Sequence, residues 1–219
     1  MNRQEEKTLK SIITIGRQFG SGGHQIGVQL ANELNIPFYD KNILEESAMN
    51  SGISLDIMEK HDEKQPSSSF LYSLVMDSYS LNYPSALIEE LPVNQKIFMA
   101  QSKFIRELAE KGPCVIVGRC ADFILEEFQD HLSVFIYASM DKRVNRIANR
   151  YDVTASKARD LIRKTDKQRS NYYNYYTHKI WGSADSYHAC LDSGSLGIKG
   201  CADAIRYLAE LKERKDEDI

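Results

Sequence analysis

The chain reads as an α/β protein with a doubly wound parallel sheet, and three observations lead there. Short β-branched or apolar runs alternate with segments of helical periodicity along its 219 residues. The first run feeds directly into a turn that holds Gly16, Gly20, Gly22 and Gly23. Composition is that of an ordinary globular domain, 42% hydrophobic and 27% charged, which excludes a disordered or fibrous chain. The length suits one domain over 1–219 with room for an insertion.

The elements follow in order. Ser11–Ile15 is the first strand; Ile26, Val28, Leu30, Ala31 and Leu34 then recur at helical spacing until Asn35. Pro37–Tyr39 is a brief second strand ending at Asp40. The breaker Gly112-Pro113 precedes a third strand, Cys114–Val117, which Gly118-Arg119 ends. Val134–Tyr137 is the fourth, and Ser139 is placed to cap a helix over Asp141–Tyr151. A fifth strand near Tyr187–Leu191 leads to a loop, Asp192–Gly200, and a last helix, Ala202–Arg214. Lys212–Ile219 alternates in charge and is expected to fray. Between Asp40 and Gly112 the alternation stops. Helices over Asn42–Asn50 and Ile97–Lys111 flank a Ser-, Tyr- and Pro-rich stretch, Gln65–Leu91. This is read as a helical insertion, about 42–111, folded over the sheet edge with a looser tip.

Composition also limits place and partners. No apolar run approaches the ~18 residues a membrane helix needs, and Met1–Lys10 has no signal-like core, so a cytoplasmic protein without membrane contact is expected. The four cysteines (Cys114, Cys120, Cys190, Cys201) show no CxxC spacing and are read as reduced structural thiols. No two histidines stand at i, i+4, so a zincin-type metal pair is not indicated. Metal ligands and oligomeric state have no signature here. The net charge of −3 argues against a general nucleic-acid binder. That total hides a pattern, because Asp141–Arg169 alone carries ten basic and four acidic residues.

The glycine turn has a physical use. Glycines allow successive backbone N–H groups to face one point, and a helix N-terminus adds positive potential there, which makes a cradle for phosphate. A tight, well-packed strand-to-helix turn is the plainer alternative. The turn departs from the GxxxxGK[ST] pattern: with the second Gly on Gly22, Arg17 stands at the first Gly, Gly23 at the Lys and His24 at the Ser or Thr. The neutralising lysine and the Mg²⁺-holding hydroxyl are both missing. Arg17 is the nearest substitute charge.

In the basic segment, Arg143, Arg146 and Arg150 fall within about 60° of one helix face, and Arg159, Arg163, Asp166 and Arg169 within about 120° on the next. Guanidinium forks match phosphate oxygens and keep their charge. A solvated charged face, a nucleic-acid surface and a lid closing over phosphates are the three readings. The lid, about 152–180, accounts for the order of the elements, since both helices follow a phosphate-loop sheet.

These residues resemble the cytidylate kinase-like branch of the nucleoside monophosphate kinases over most of the chain. Ile12–Asp40 is similar to that family's opening, with its Gly-Ser-Gly loop. Val115–Cys120, "VIVGRC", is similar to its strand followed by Gly-Arg, although ordinary cytidylate kinases carry Asp where Cys120 stands. Val134–Arg150 resembles its strand and arginine helix, Ile162–Arg169 its lid pattern, and Leu191–Gly197 the loop near the nucleotide base. The variant loop resembles a divergent subgroup. The resemblance implies a P-loop type three-layer sandwich: a five-stranded parallel sheet, a helical acceptor-binding insertion and a helical lid. It implies ATP and Mg²⁺ as cofactors and a nucleoside monophosphate as acceptor.

On that basis Phe19, Gly20, Ser21, Gly22, Gly23 and His24 would hold the donor phosphates together with Arg150. Arg17 would replace the lysine. Asp40 would orient the acceptor or hold metal-bound water, and Arg119 would take the acceptor phosphate. Arg163 and Arg169 would close onto the transferring group. Asp166 orients lid arginines or touches substrate, and His24 donates to phosphate or merely starts the helix; both pairs of readings are open. The tyrosines over 172–176 read first as packing, with contact of one of them to a nucleotide as the alternative. Two rivals remain: a nucleotide-binding protein that has lost turnover, and a kinase for a non-nucleotide small molecule.

Overall fold

The computed structural model describes residues 9–40, 42–61 and 91–217. The stretch Gln65–Leu91 singled out above lies, but for Leu91, outside them. Five parallel strands form one sheet in the order β2-β3-β1-β4-β5. They are β1 (Ile12–Arg17), β2 (Phe38–Tyr39), β3 (Val115–Val117), β4 (His131–Tyr137) and β5 (Ala189–Asp192). β1 is central, with Ile13 beside Val115 on one side and Leu132 on the other.

Strand side chains alternate between faces, so a sheet covered on both sides needs apolar residues at nearly every position. Ile13 and Ile15 of β1, with Val115, Val117, Val134 and Ile136, pack on Ile26 and Leu30 of α1 (Gly23–Leu34) and on Ala202 and Ile205 of the last helix. The opposite face, with Ile12, Ile116 and Phe135, is covered by Phe104, Ile105 and Leu108 and by Tyr172, Tyr173 and Tyr176. The result is three layers.

The insertion supplies α2 (Asn42–Ser51), α3 (Leu55–His61) and α4 (Val93–Glu110), joined through Ala48, Met58 and Ile97. A short α5 (Ala121–Ile124) follows β3. After β4 come α6 (Met140–Tyr151), α7 (Ala155–Thr177) and, beyond β5, α8 (Ser193–Glu217). Val144 and Ile147 of α6 pack on Ala158 and Ile162 of α7.

Three boundaries differ from the sequence reading, each for a local reason. β4 begins at His131 rather than Val134 because buried polar residues there find partners. Thr14 Oγ1 lies 2.7 Å from His131 Nε2, and the Ser133 amide donates to His188 Nδ1 at 2.9 Å. α4 starts at Val93, right after Pro92, a residue suited to helix entry. The expected loop after Asp192 is helical from Ser193, because Asp192 caps it by accepting from the Gly194 amide and the Ser195 hydroxyl, both at 2.8 Å. Gly197, at φ 71° and ψ −179°, kinks this helix. The C-terminal segment expected to fray is helical through Glu217, and α3 had no anticipated counterpart.

Candidate functional site

In an open parallel sheet, ligands bind beyond the carboxyl ends of the strands. Here that edge carries the glycine turn, which runs from β1 into α1. Gly20 and Gly22 adopt φ of 80° and 86°, the left-handed region that glycine enters without strain. Gly22 is the residue before α1, so the first amides of α1 have no partner within the helix. Ser21 is buried, its hydroxyl donating to the Gln18 carbonyl at 2.9 Å.

Gly23 shows why a lysine is absent. A Cβ on Gly23 would lie 2.6 Å from the Cβ of Arg17 and 3.0 Å from its Cγ. The arginine stem thus occupies the space in which a side chain at position 23 would begin.

Asp40, just after β2, faces two arginines and a histidine. Its Oδ1 lies 3.8 Å from Arg17 Nη2 and 3.3 Å from Arg119 Nη1, and its Oδ2 lies 2.7 Å from His24 Nδ1. Arg119 also donates to the Asp40 carbonyl at 2.8 Å. Burial on its own pushes the Asp40 carboxyl up, but Arg17, Arg119 and the His24 contact outweigh it and hold it below the ordinary range.

Arg17, Arg119 and Arg169 line one pocket together with Gly16, Gly118 and Cys120. Its further wall is Asp122, Tyr172, Tyr173, Trp181 and Tyr187. Three guanidiniums against the carboxylates of Asp40 and Asp122 leave the region positive. Asp122 is buried and accepts the Tyr173 hydroxyl at 2.7 Å; burial pushes it up to about 6. Burial likewise raises the phenols of Tyr173 and Tyr187. The free volume of the pocket is ≈ 20 Å³, room for about one water.

The α6 arginines lie differently from their helical-wheel grouping. Arg143 is buried, donating to Asp166 and to the Phe19 carbonyl at 3.3 Å. Arg146 donates to the carbonyls of Gly20 (3.4 Å) and Ser21 (2.9 Å). Arg150 is exposed, 5.8 Å from the Tyr151 ring, which in turn stacks on Phe19. On α7, Arg169 donates to the Arg17 carbonyl at 3.2 Å and stands 5.8 Å over the Phe19 ring. Arg163 is exposed and makes no hydrogen bond or ion pair among the described residues. The structure thus joins Arg17, Asp40, Arg119, His24 and Arg169 at one edge beside Phe19 and the glycines. Arg150 and Arg163 stand outward.

Sequence reasoning assigned no task to Arg143, Arg146, Asp122 or Ser193. The first two were visible only as part of a basic stripe. Asp122 had one signal, a lone carboxylate in the apolar run Cys120–Leu125. The tyrosines pack: Tyr176 stacks on Phe98 at 4.0 Å and Tyr173 binds Asp122. All four cysteines are free thiols. Among the described residues, no three His, Cys, Asp or Glu side chains are grouped to hold a metal, and no helix is long and apolar enough to cross a membrane.

A parallel sheet of this strand order, with a glycine loop leaving its central strand and arginines at the same edge, defines the P-loop kinase class of fold. More specifically, the chain belongs to the cytidylate kinase-like family, whose model matches residues 12–195. An uncharacterized protein from Eubacterium ventriosum has a similar structure, with 30% identity and a TM-score of 0.68 over 92% of this chain and 99% of that one. A gluconokinase from Sinorhizobium meliloti is 14% identical, with a TM-score of 0.51 over 95% and 99%, a likeness of fold. No curated protein matches the chain.

Proposed function

We propose that this protein transfers the terminal phosphoryl group of ATP to a nucleoside monophosphate. One observation carries the reading: Arg17, Arg119 and Arg169 converge in a pocket directly beside the glycine loop. Phosphoryl transfer needs positioning and charge neutralisation more than covalent help from the protein. A cradle of amides next to a cationic pocket supplies both.

The loop fits phosphate: its glycines turn left-handed and the start of α1 presents amides. Phe19, Gly20, Ser21, Gly22, Gly23 and His24 would hold the donor, and Arg17 would supply the charge that lysine supplies elsewhere. Among the described residues, Asp40 is not placed to hold Mg²⁺, since its oxygens face Arg17, Arg119 and His24. Mg²⁺ would arrive as MgATP, and no step here depends on a protein-bound metal.

Asp40 acts by orientation, holding Arg17 and Arg119 toward the acceptor anion. Arg119 and Arg169 would take the acceptor phosphate from two sides. Arg150 and Arg163 reach the transferring group only by a movement of α6 and α7, the lid role. The domain is one unit, 1–219, with the insertion carrying the acceptor side.

The missing lysine and hydroxyl favour a second reading, a nucleotide-binding protein without efficient turnover. ADP release measured with CMP, dCMP, UMP, AMP and small metabolites separates the two. Turnover with a nucleoside monophosphate is the expected result. ATP binding without turnover on any acceptor overturns it, and turnover on metabolites alone assigns a non-nucleotide acceptor.

A further inference from the structure

Asp166 lies on the face of α7 that meets the glycine loop. Its Oδ1 accepts the backbone N–H of Phe19 at 2.7 Å, and its Oδ2 accepts Nη1 of Arg143. Arg143 is only 5% exposed, and its Nε is buried with no hydrogen-bond partner among the described residues. A loop amide and a buried guanidinium are the donors that a phosphate oxyanion takes. In this structure a carboxylate of the chain itself takes both.

Val144, Ile147, Ala158 and Ile162 already pack α6 against α7. A buried charged link is weak evidence for stability, and a switch is one attested use of such a pair. Nearby, the same helix contributes Arg169, Tyr172 and Tyr173 to the pocket of ≈ 20 Å³. Those three side chains form one wall of the pocket, so a shift of α7 changes its shape.

We propose that Asp166 is a built-in anion that latches α7 to the glycine loop and competes with the donor's terminal phosphate for the Phe19 amide and Arg143. This rests on the reading of the loop as the donor-phosphate site and adds its regulation. Phosphate entry displaces the carboxylate and frees α7, which carries the Arg169, Tyr172 and Tyr173 wall of the pocket. Donor binding is thereby coupled to the pocket through α7. No covalent bond changes in the step.

Asp166→Asn tests the latch, because it keeps the shape and one acceptor oxygen but removes the charge. Calorimetric titration with inorganic tripolyphosphate, and separately with ATP, should show the variant binding about tenfold tighter than wild type. Equal or weaker binding by a folded variant overturns the latch while leaving the donor site intact. Binding by neither protein removes both the latch and the donor site. Tighter binding without turnover on any nucleoside monophosphate keeps the latch and rejects the transfer reaction. A second measurement uses wild type alone: saturating tripolyphosphate should speed amide hydrogen exchange in α7 around Asp166. Unchanged or slower exchange there contradicts the latch.

Discussion

Arg146 grips Ser193 twice, Nη1 donating to its hydroxyl and Nη2 to its carbonyl oxygen, each at 2.9 Å. The Ser193 hydroxyl and Arg146 Nη1 also both donate to the Ser21 carbonyl. One guanidinium therefore ties the glycine loop to the start of α8. In a trans peptide the next N–H points opposite to the carbonyl. Turning Ser21 C=O toward Arg146 thus aims the Gly22 amide away from it. Arg146→Ala leaves these partners without their shared donor and should cost about 2 kcal/mol, with weaker ATP binding. Arg146→Lys should restore only part, since an ammonium cannot fork. Thermal denaturation and calorimetry check both; a full rescue by lysine would refute the clamp.

Arg17 and Gly23 compete for one space, so the lysine cannot simply be put back. Gly23→Lys alone should destabilise by about 1–3 kcal/mol through overpacking. Combined with Arg17→Gly, it should recover most of that loss and retain turnover. A double variant no more stable than the single one would show that the two positions are independent.

Asp40 neutralises Arg119, which is 3% exposed. Asp40→Asn should cost about 3 kcal/mol at pH 7 and reduce turnover further than stability alone explains. The folded carboxyl titrates below its unfolded value, so this stabilisation is present above about pH 4 and fades as the pH falls through the folded pKa. The gap between wild type and variant should narrow in acid. A constant gap from pH 7 to pH 3 would exclude a charge effect.

The exposed Arg163 side chain makes no hydrogen bond or ion pair among the described residues, so Arg163→Ala should change stability by less than about 0.5 kcal/mol. Turnover should fall by at least about tenfold if the arginine closes onto the transferring group. A lowered melting temperature with normal turnover would mark the residue as structural.

Asp122 behaves oppositely to Asp40. Burial lifts its folded pKa to about 6, so between about pH 4 and 6 the native state holds a proton that the unfolded state has released. Stability from this group is highest below about pH 4 and is lost as the pH rises to 6. Asp122→Asn should remove that slope, a difference on the order of 2 kcal/mol, while keeping an acceptor for Tyr173. Parallel stability profiles for the two proteins would rule it out.

Much of the fold was legible because strands buried on both faces must be written in β-branched residues, as Ile12–Ile15 and Val115–Val117 are. Positive φ at the loop was legible from glycine alone. The start of β4 was not, because His131 and Ser133 look like loop residues until Thr14 and His188 are known to meet them. α3 was missed altogether.

The arginines divide the two kinds of knowledge most sharply. Sequence determined that Arg143, Arg146 and Arg150 share a helix, since helical spacing is local. Their separate surroundings were set by packing of α6 against the loop and α7. It buried Arg143 on Asp166, hooked Arg146 onto backbone carbonyls and left Arg150 in solvent. Likewise, sequence alone marked the missing lysine, a matter of spacing within one turn. Only the tertiary structure decided that the Arg17 stem fills its place and that Asp40, 23 positions away, meets it. Charge partners distant along the chain are chosen by how helices and strands stack, which no local pattern encodes.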